Sequence, residues 1–512
     1  MRAALLILLI ALVPALPAQP QSRPVASTVA APKLVVAICI DQFRYDYLTR
    51  FRSEYTGGLK RMLVEGADFT NSRYQHYQTV TAAGHSTFLS GATPSTSGIV
   101  GNEWWDRTTN AAVTSVSDSD TRLLGGTGTG SSPRRLLQST VGDELKASGK
   151  GGKVIGISIK DRSAILPAGH SADAAYWFDS ASGNFVSSTY YFNELPPWVA
   201  ATNQSHLADK FSGEDWMKHK MPAAGMALYG ELEATPYGNE LIQQFALRAL
   251  KAEKLGTTGK TDLLAVSYSA NDYVGHRYGP DSEEVHDMAL RVDKLIGELL
   301  RAAEAQAGAG NVLAVLTADH GVAPLPEINR DRKMPGGRIN GSQMLAAVEA
   351  ALQAKFAGKL GASHWVAYSS EAGVYLNIQP GVNPAEAETL AANTLRAYPH
   401  VARAYTRTQL MNGQVQSDAV GIAFRNGFNP TRSGSVLFIL EPYWILGATG
   451  ATHGSPYGYD AHVPMLFLGS RIKAGRYDIN VAPNDIAPTL ASILDIETPS
   501  GSAGRVLTEM LK

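Results

Sequence analysis

The 512-residue sequence has one cysteine, Cys39, so no intramolecular disulfide can form and the fold is held noncovalently. Cys39 lies in the apolar run Leu34-Val35-Val36-Ala37-Ile38-Cys39-Ile40, where it reads as a small buried hydrophobe rather than a nucleophile or ligand. Net charge is also scarce: 45 basic against 46 acidic side chains leave a formal −1. That balance excludes a global field that would gather nucleic acid or an anionic membrane, so any attraction for an anionic substrate must be local. Long hydrophobic runs are missing beyond the N-terminus. The run at 3–13, behind Arg2, is shorter than the ~20 residues of a bilayer span. Small residues follow it at Ala15 and Ala18. Residues 1–18 therefore read as an export signal and 19–32, rich in Pro, Ala and Ser, as a linker. The expected location is periplasmic or secreted, with no stable membrane insertion once the signal is removed. No internal repeat is visible.

Apolar residues make up 44 % of the chain, enough for a large core. Short β-branched runs at 34–40, 153–159, 263–268, 312–317 and 464–468 show no polar alternation, the pattern of strands covered on both faces of a mostly parallel sheet. Helical patterns lie between them, at 57–65 and at 283–305. In the latter Met288, Leu290, Val292, Leu295, Ile296, Leu299 and Leu300 form a broad apolar face. The expected fold is α/β, with a mostly parallel central sheet flanked by helices. Two stretches break the rhythm. Residues 163–236 are rich in aromatics, Ser, Asn and Pro, and 324–431 carry their own helix and strand signals at 341–355 and 373–378. Both read as inserted cap or crown segments. The core is thereby divided into 33–162, 237–323 and 432–512.

Polar clusters sit where the strands end. Asp41 closes the first run. Thr79-Val80-Thr81-Ala82-Ala83-Gly84-His85-Ser86 precedes Asn102. Asp272 and His276 stand four apart, on one face of a helical turn. Asp319-His320-Gly321 is followed far downstream by His453-Gly454. Singly, each has an ordinary reading as a cap, a turn or a local pair. Together, three Asp and three His fall at strand ends or in Gly-rich loops, where an α/β fold makes them converge. Asp272, His276 and His453 make one three-ligand set for zinc. Asp41, Asp319 and His320 make a second, with the Thr81 oxygen as a fourth ligand. Two ions about 4 Å apart suit an in-line displacement, with Thr81 as the attacking group. A helix starting at Ala82 would turn free N–H groups toward a phosphoryl group. Such Asp/His sets also accept manganese or cobalt. His462 is the alternative to His453. His85 reads as a support of the nucleophile helix, and Asp46 and Asp161 as structural.

These motifs, in this order, resemble the alkaline phosphatase superfamily, in particular its PafA-like and PhoK-like bacterial members. Ile40-Asp41-Gln42-Phe43-Arg44-Tyr45-Asp46 is similar to the opening metal motif, and the segment around Thr81 to the nucleophile motif. Asp272 to His276, Thr317-Ala318-Asp319-His320-Gly321 and Thr452-His453-Gly454-Ser455-Pro456 resemble the remaining metal motifs. The resemblance spans nearly the whole chain after residue 32. It implies a phosphatase acting on small-molecule phosphate monoesters through a phosphothreonine at Thr81, with two zinc ions, and a preference for His453 over His462. It also implies that Asn102, Lys160 and Arg162 contact the phosphoryl oxygens, the two cations favouring a monoester dianion over a diester. A monomer is entertained, and no nucleic-acid partner is expected. The competing readings are a phosphodiesterase or nucleotide pyrophosphatase on the same scaffold, and a catalytically dead phosphate-binding protein. A sulfatase is disfavoured because no Cys-x-Pro-x-Arg or Ser-x-Pro-x-Arg pattern surrounds Thr81.

Overall fold

Continuous apolar runs demand cover on both faces, and the computed structural model supplies it. It describes residues 31–360, 364–371 and 373–512, with the backbone alone at 357–360. The proposed export signal and all but the end of the linker lie outside the described residues. Five strands run parallel in the spatial order Val312–Thr317, Leu34–Ile40, Thr261–Tyr268, Gly151–Ser158 and Ala174–Asp179. Antiparallel partners extend both edges. Met465–Leu468 joins Val312–Thr317 and then Ala67–Ser72, while Asn184–Ser188 joins Ala174–Asp179. The sheet totals eleven strands.

The two-residue period of a strand assigns the side chains of Leu34–Ile40 to opposite faces. Leu34, Val36, Ile38 and Ile40 belong to one hydrophobic layer and Val35, Ala37 and Cys39 to the other. Helices Gly58–Glu65, Pro236–Ala252 and Glu283–Ala307 cover the first layer, and Thr81–Ser90, Val141–Ala147 and Ile486–Leu494 the second. Each fully buried Leu, Ile or Val contributes roughly 1.5–3 kcal/mol. In Glu283–Ala307 the expected apolar stripe is buried except Leu290, which is partly exposed.

The insertions differ from the sequence-based division. Residues 174–179 and 184–188 are strands of the main sheet and helix Asp161–Ala168 packs beside them, so a boundary at 163 cuts through the core. The aromatic run Ala174-Ala175-Tyr176-Trp177-Phe178 is buried sheet rather than cap. The downstream insertion has its own four-stranded sheet, Val366–Ser370, Gly373–Leu376, Val436–Leu440 and Val401–Thr406. Helices Gly341–Leu360 and Pro384–Ala397 pack on it around a separate apolar cluster. Its third strand in spatial order lies beyond residue 431, because the sheet needs Val436–Leu440 to pair Val401–Thr406.

The parallel strands bring Asp41, Lys160, Asp272, Asp319 and His320 to one edge, the C-terminal edge where α/β sites form. Helix Thr81–Ser90 reaches the same edge because Gly84 has no side chain. A Cβ there would lie 2.2 Å from the Asp319 carbonyl oxygen and 2.6 Å from its Cα. Gly84→Ala is expected to force the helix and the Asp319 backbone apart, costing about 1–3 kcal/mol of stability as overpacking does. Turnover should fall by more than tenfold, since displacements near 1 Å have that effect. Thermal unfolding and kcat measured on the same preparation test this.

Candidate active site

Asp272 and His276 occupy one face of helix Ala270–Tyr278, with His276 Nε2 3.2 Å from Asp272 Oδ1. His453 arrives on a Gly-bounded loop, its Nε2 3.7 Å from the same oxygen. Beside them, His320 Nε2 is 3.5 Å from Asp41 Oδ1 and 3.4 Å from Asp319 Oδ2. In each trio the ligand atoms lie within 4.8 Å of one another. The His320 and His453 rings stack with centroids 3.5 Å apart, so the trios adjoin. The structure therefore gathers all six side chains in the two sets expected.

The second nitrogens of these histidines show what the first are for. His276 Nδ1 lies 2.7 Å from the Ala451 carbonyl, His453 Nδ1 2.8 Å from that of Thr79, and His320 Nδ1 2.9 Å from that of Gly321. A carbonyl only accepts, so each Nδ1 carries a proton; in neutral His320 and His453 rings Nε2 then presents a lone pair, whereas at His276 burial would lower the pKa but Asp272 raises it. Burial lowers the pKa of His320, and burial together with the neighbouring His320 and His276 rings lowers that of His453, which keeps both neutral. Among the described residues Asp41 Oδ1 accepts no hydrogen bond, and Asp319 Oδ2 none of good geometry. Buried carboxylate oxygens and imidazole lone pairs converging in this way fit divalent metal ions of the zinc type.

Charge at the site is managed by a few contacts. Lys160 Nζ donates to Asp41 Oδ2 at 2.7 Å and Asp272 Oδ2 at 2.6 Å. Burial alone would lower the Lys160 pKa, but Asp272 and Asp41 raise it and hold the ammonium charged. Burial would raise Asp272, yet Lys160 and His276 keep its carboxyl well below the usual range. Asp41 moves the other way, pushed up by burial and by Asp319. The expected phosphate contact by Lys160 thus meets an ammonium already shared by two carboxylates, with one of its three N–H donors left over.

Thr81 begins its helix at the first position instead of capping it. It is buried, its Oγ1 3.5 Å from His320 Nε2. The Ala82 N–H donates to Asn102 Oδ1 at 2.9 Å, so this early helix donor is taken by a side chain rather than left for an anion. Asn102 Nδ2 in turn donates to Glu371 Oε1 at 3.0 Å. Asn102, Asp161, Arg162 and Glu371 line a polar cavity, and Arg162 Nε is a buried donor with no hydrogen-bond acceptor.

Three contributors escaped the sequence reading or were underrated by it. Gln42, at φ +58°, donates its N–H to Asp319 Oδ1 at 3.0 Å and its Nε2–H to Asp272 Oδ1 at 2.6 Å, tying one ligand trio to the other. Its adjacency to Asp41 was the available signal. Glu371 lies 269 residues from Asn102 and had none. His85 sits between the Thr81 carbonyl (2.9 Å) and Ser267 Oγ (2.8 Å), with Asp319 Oδ2 at 3.2 Å. It also groups with Cys39 and Asp319, but both its nitrogens are engaged. His462 Nε2 bonds the Thr70 carbonyl and its ring stacks on Tyr45, outside both trios. Asp46 pairs with Arg44, and Asp161 accepts from Ser131.

The profile of the type I phosphodiesterase / nucleotide pyrophosphatase family matches residues 35–456, a span that includes every residue of both trios. The chain belongs to this family. Within it, the relatives are alkaline phosphatases for the most part. Alkaline phosphatase PhoV of Synechococcus elongatus is 35 % identical over 95 % of this chain and 94 % of its own. A Myroides odoratus protein named calcium-transporting ATPase is 36 % identical over 94 % and 95 %. Alkaline phosphatase PafA of Elizabethkingia meningoseptica is 33 % identical over 95 % of both chains. The crystal structure of PafA superposes on 95 % of this chain and 100 % of its own with a TM-score of 0.86. This member of the type I phosphodiesterase / nucleotide pyrophosphatase family thus shares its whole architecture with that enzyme.

The Asn102 amide is fixed at both ends, which generates a prediction. Glu371→Ala should free the amide and lower kcat/KM about three- to tenfold, the scale of one lost neutral-to-charged hydrogen bond or less. Glu371→Gln, which still accepts, should restore most of it. Melting temperatures close to the parent's in both variants would place the effect at the site.

Proposed function

We propose that this chain is a phosphoric monoester hydrolase, an alkaline phosphatase, that acts through a phosphothreonine at Thr81 with two zinc ions. The observation that carries this reading is the position of Thr81. Its hydroxyl lies 3.5 Å from His320 Nε2, whose ring stacks on His453 of the other trio, and the next residue, Ala82, bonds Asn102 in the wall of a polar cavity shared with Arg162. The relatives PhoV and PafA, named alkaline phosphatases, support the monoester assignment. The N-terminal sequence pattern supports an exported enzyme.

Asp272, His276 and His453 would hold one ion, and Asp41, Asp319, His320 and the Thr81 oxygen the other. Bound there, the metals supply Lewis acidity that eases ionisation of the attacking hydroxyl and neutralises the leaving oxygen. Thr81 Oγ1 forms the new bond to phosphorus as the ester P–O bond breaks. The alcohol departs with the proton that Thr81 gave up. Water then cleaves the Thr81–phosphorus bond, returning the hydroxyl and releasing inorganic phosphate. Asn102, held between Ala82 and Glu371, presents its remaining Nδ2–H. Arg162 and the spare N–H of Lys160 add positive charge where phosphoryl oxygens gather.

A second reading, a phosphodiesterase or nucleotide pyrophosphatase, is favoured by the family profile itself. The two differ in what the cations face. A monoester dianion leaves its non-bridging oxygens uncovered, whereas a diester covers one with carbon. Lys160→Ala combined with Arg162→Ala should lower monoester kcat/KM by on the order of 100-fold or more and diester turnover much less. Equal losses on the two esters would return the diesterase reading to first place.

Two further measurements bear on the chemistry. Chelation should abolish turnover and lower the melting temperature, and two molar equivalents of zinc should restore both, because three buried carboxylates lose their counter-charge without it. Full activity in protein shown by elemental analysis to be metal-free would sink the proposal. Thr81→Ala should lose at least about 1,000-fold in kcat, the scale for removal of a nucleophile, while Thr81→Ser keeps part of it. Since Thr81 makes no side-chain cap, thermal stability should barely change.

A further inference from the structure

A second cavity borders the site and takes no part in holding phosphate. Its volume is about 330 Å³, within the range of small-molecule pockets. Tyr77, Phe438, Trp444, Tyr457 and Tyr459 bring aromatic rings to its wall beside aliphatic side chains such as Leu345, so it is apolar and partly aromatic. At one end it is bounded by His453, Gly454 and Ser455, on the side of the Asp272–His276–His453 trio. Glu371 lines this cavity and the polar one that holds Asn102 and Arg162. The two compartments therefore meet at a shared wall, one holding Asn102 and Arg162 and the other bordered by His453.

In-line displacement fixes which part of a substrate enters each compartment. Thr81 lies with the Asp41–Asp319–His320 trio, so the departing oxygen lies opposite it, toward Asp272, His276 and His453. Phosphoryl oxygens turned to Asn102 and Arg162 leave the organic group pointing past His453 into the aromatic cavity. Two polar atoms of residues lining this cavity, Gln78 Oε1 and Asp460 Oδ1, are buried and have no hydrogen-bond partner among the described residues. Buried acceptors without donors are uncommon and point to a ligand or solvent donor. Its aromatic side chains favour a ring over an alkyl chain through stacked and edge-on contacts.

We propose that this cavity is the leaving-group subsite, built for planar aromatic alcohols that carry a hydrogen-bond donor on the ring, and that aryl phosphate monoesters of this kind are the preferred substrate class. The inference rests on the phosphatase reading above and narrows it. Leu345, on helix Gly341–Leu360, and Trp444 are half-buried wall residues that belong to neither ligand trio and touch none of the phosphate-binding groups. Leu345→Trp fills the cavity, and Trp444→Ala removes an aromatic face.

The test compares each variant with the parent on 6-hydroxy-2-naphthyl phosphate and on methyl phosphate. Comparing the same ester across proteins cancels the greater intrinsic reactivity of aryl esters. Each variant should lose about tenfold or more in kcat/KM on the aryl ester, the scale of a lost pocket contact, while methyl phosphate stays within about twofold. Equal losses on both esters, or no loss on either, overturn the subsite. Binding of naphthalene-2,6-diol, followed by ligand-observed NMR, separates the two levels of inference. If the parent hydrolyses neither ester, the phosphatase reading falls. Diol binding that is present in the parent and lost in Leu345→Trp still upholds an aromatic-alcohol site, whereas binding that is absent, or unchanged in the variant, refutes it. Should one variant fail to fold, the other carries the same comparison.

Discussion

Three carboxylates, those of Asp41, Asp272 and Asp319, are buried together at the C-terminal edge of a single parallel sheet. Burying like charges costs several kcal/mol apiece unless each finds opposite charge or donors, and much of the surrounding structure answers that requirement. Lys160 spans two of them. Gln42 adopts a left-handed backbone conformation and donates to two, once from its main chain and once from its side chain. The three histidines turn their Nε2 atoms inward because backbone carbonyls hold each Nδ1 by its proton. An arrangement so dependent on added positive charge is a poor way to stabilise a protein and suits a site that takes up a cation.

The close approach of helix Thr81–Ser90 follows from the same constraint. Thr81 comes within reach of the Asp41–Asp319–His320 trio only because a glycine at position 84 lets two backbones meet there. His85, one residue further, then bridges the helix to Asp319 and Ser267. Catalytic geometry here is thus set by main-chain packing as much as by the ligand side chains.

The insertion after residue 324 divides the labour differently. The main sheet positions both trios and Thr81, whereas the insertion supplies Glu371 behind Asn102 and, through Phe438 and Trp444, part of the aromatic wall beyond His453.

Much was legible without coordinates because it is local. Runs such as 34–40 and 312–317 lack polar alternation, and only strands covered on both faces satisfy them. Asp and His residues at their ends, with Asp272 and His276 at helical spacing, fall on the edge where α/β sites gather. The ligand trios could thus be grouped from order and spacing. The tertiary structure alone decided what depends on distant segments meeting. It put 174–188 into the main sheet, because edge pairing is not encoded in an aromatic-rich run itself. It brought Glu371 to Asn102 across 269 residues and set the Lys160 ammonium between two carboxylates. It also separated His462 from His453, nine positions on in the same chain, by spending its imidazole on the Thr70 carbonyl. Periodicity and residue chemistry are properties of short segments, whereas these contacts arise from chain reversals that no segment records by itself.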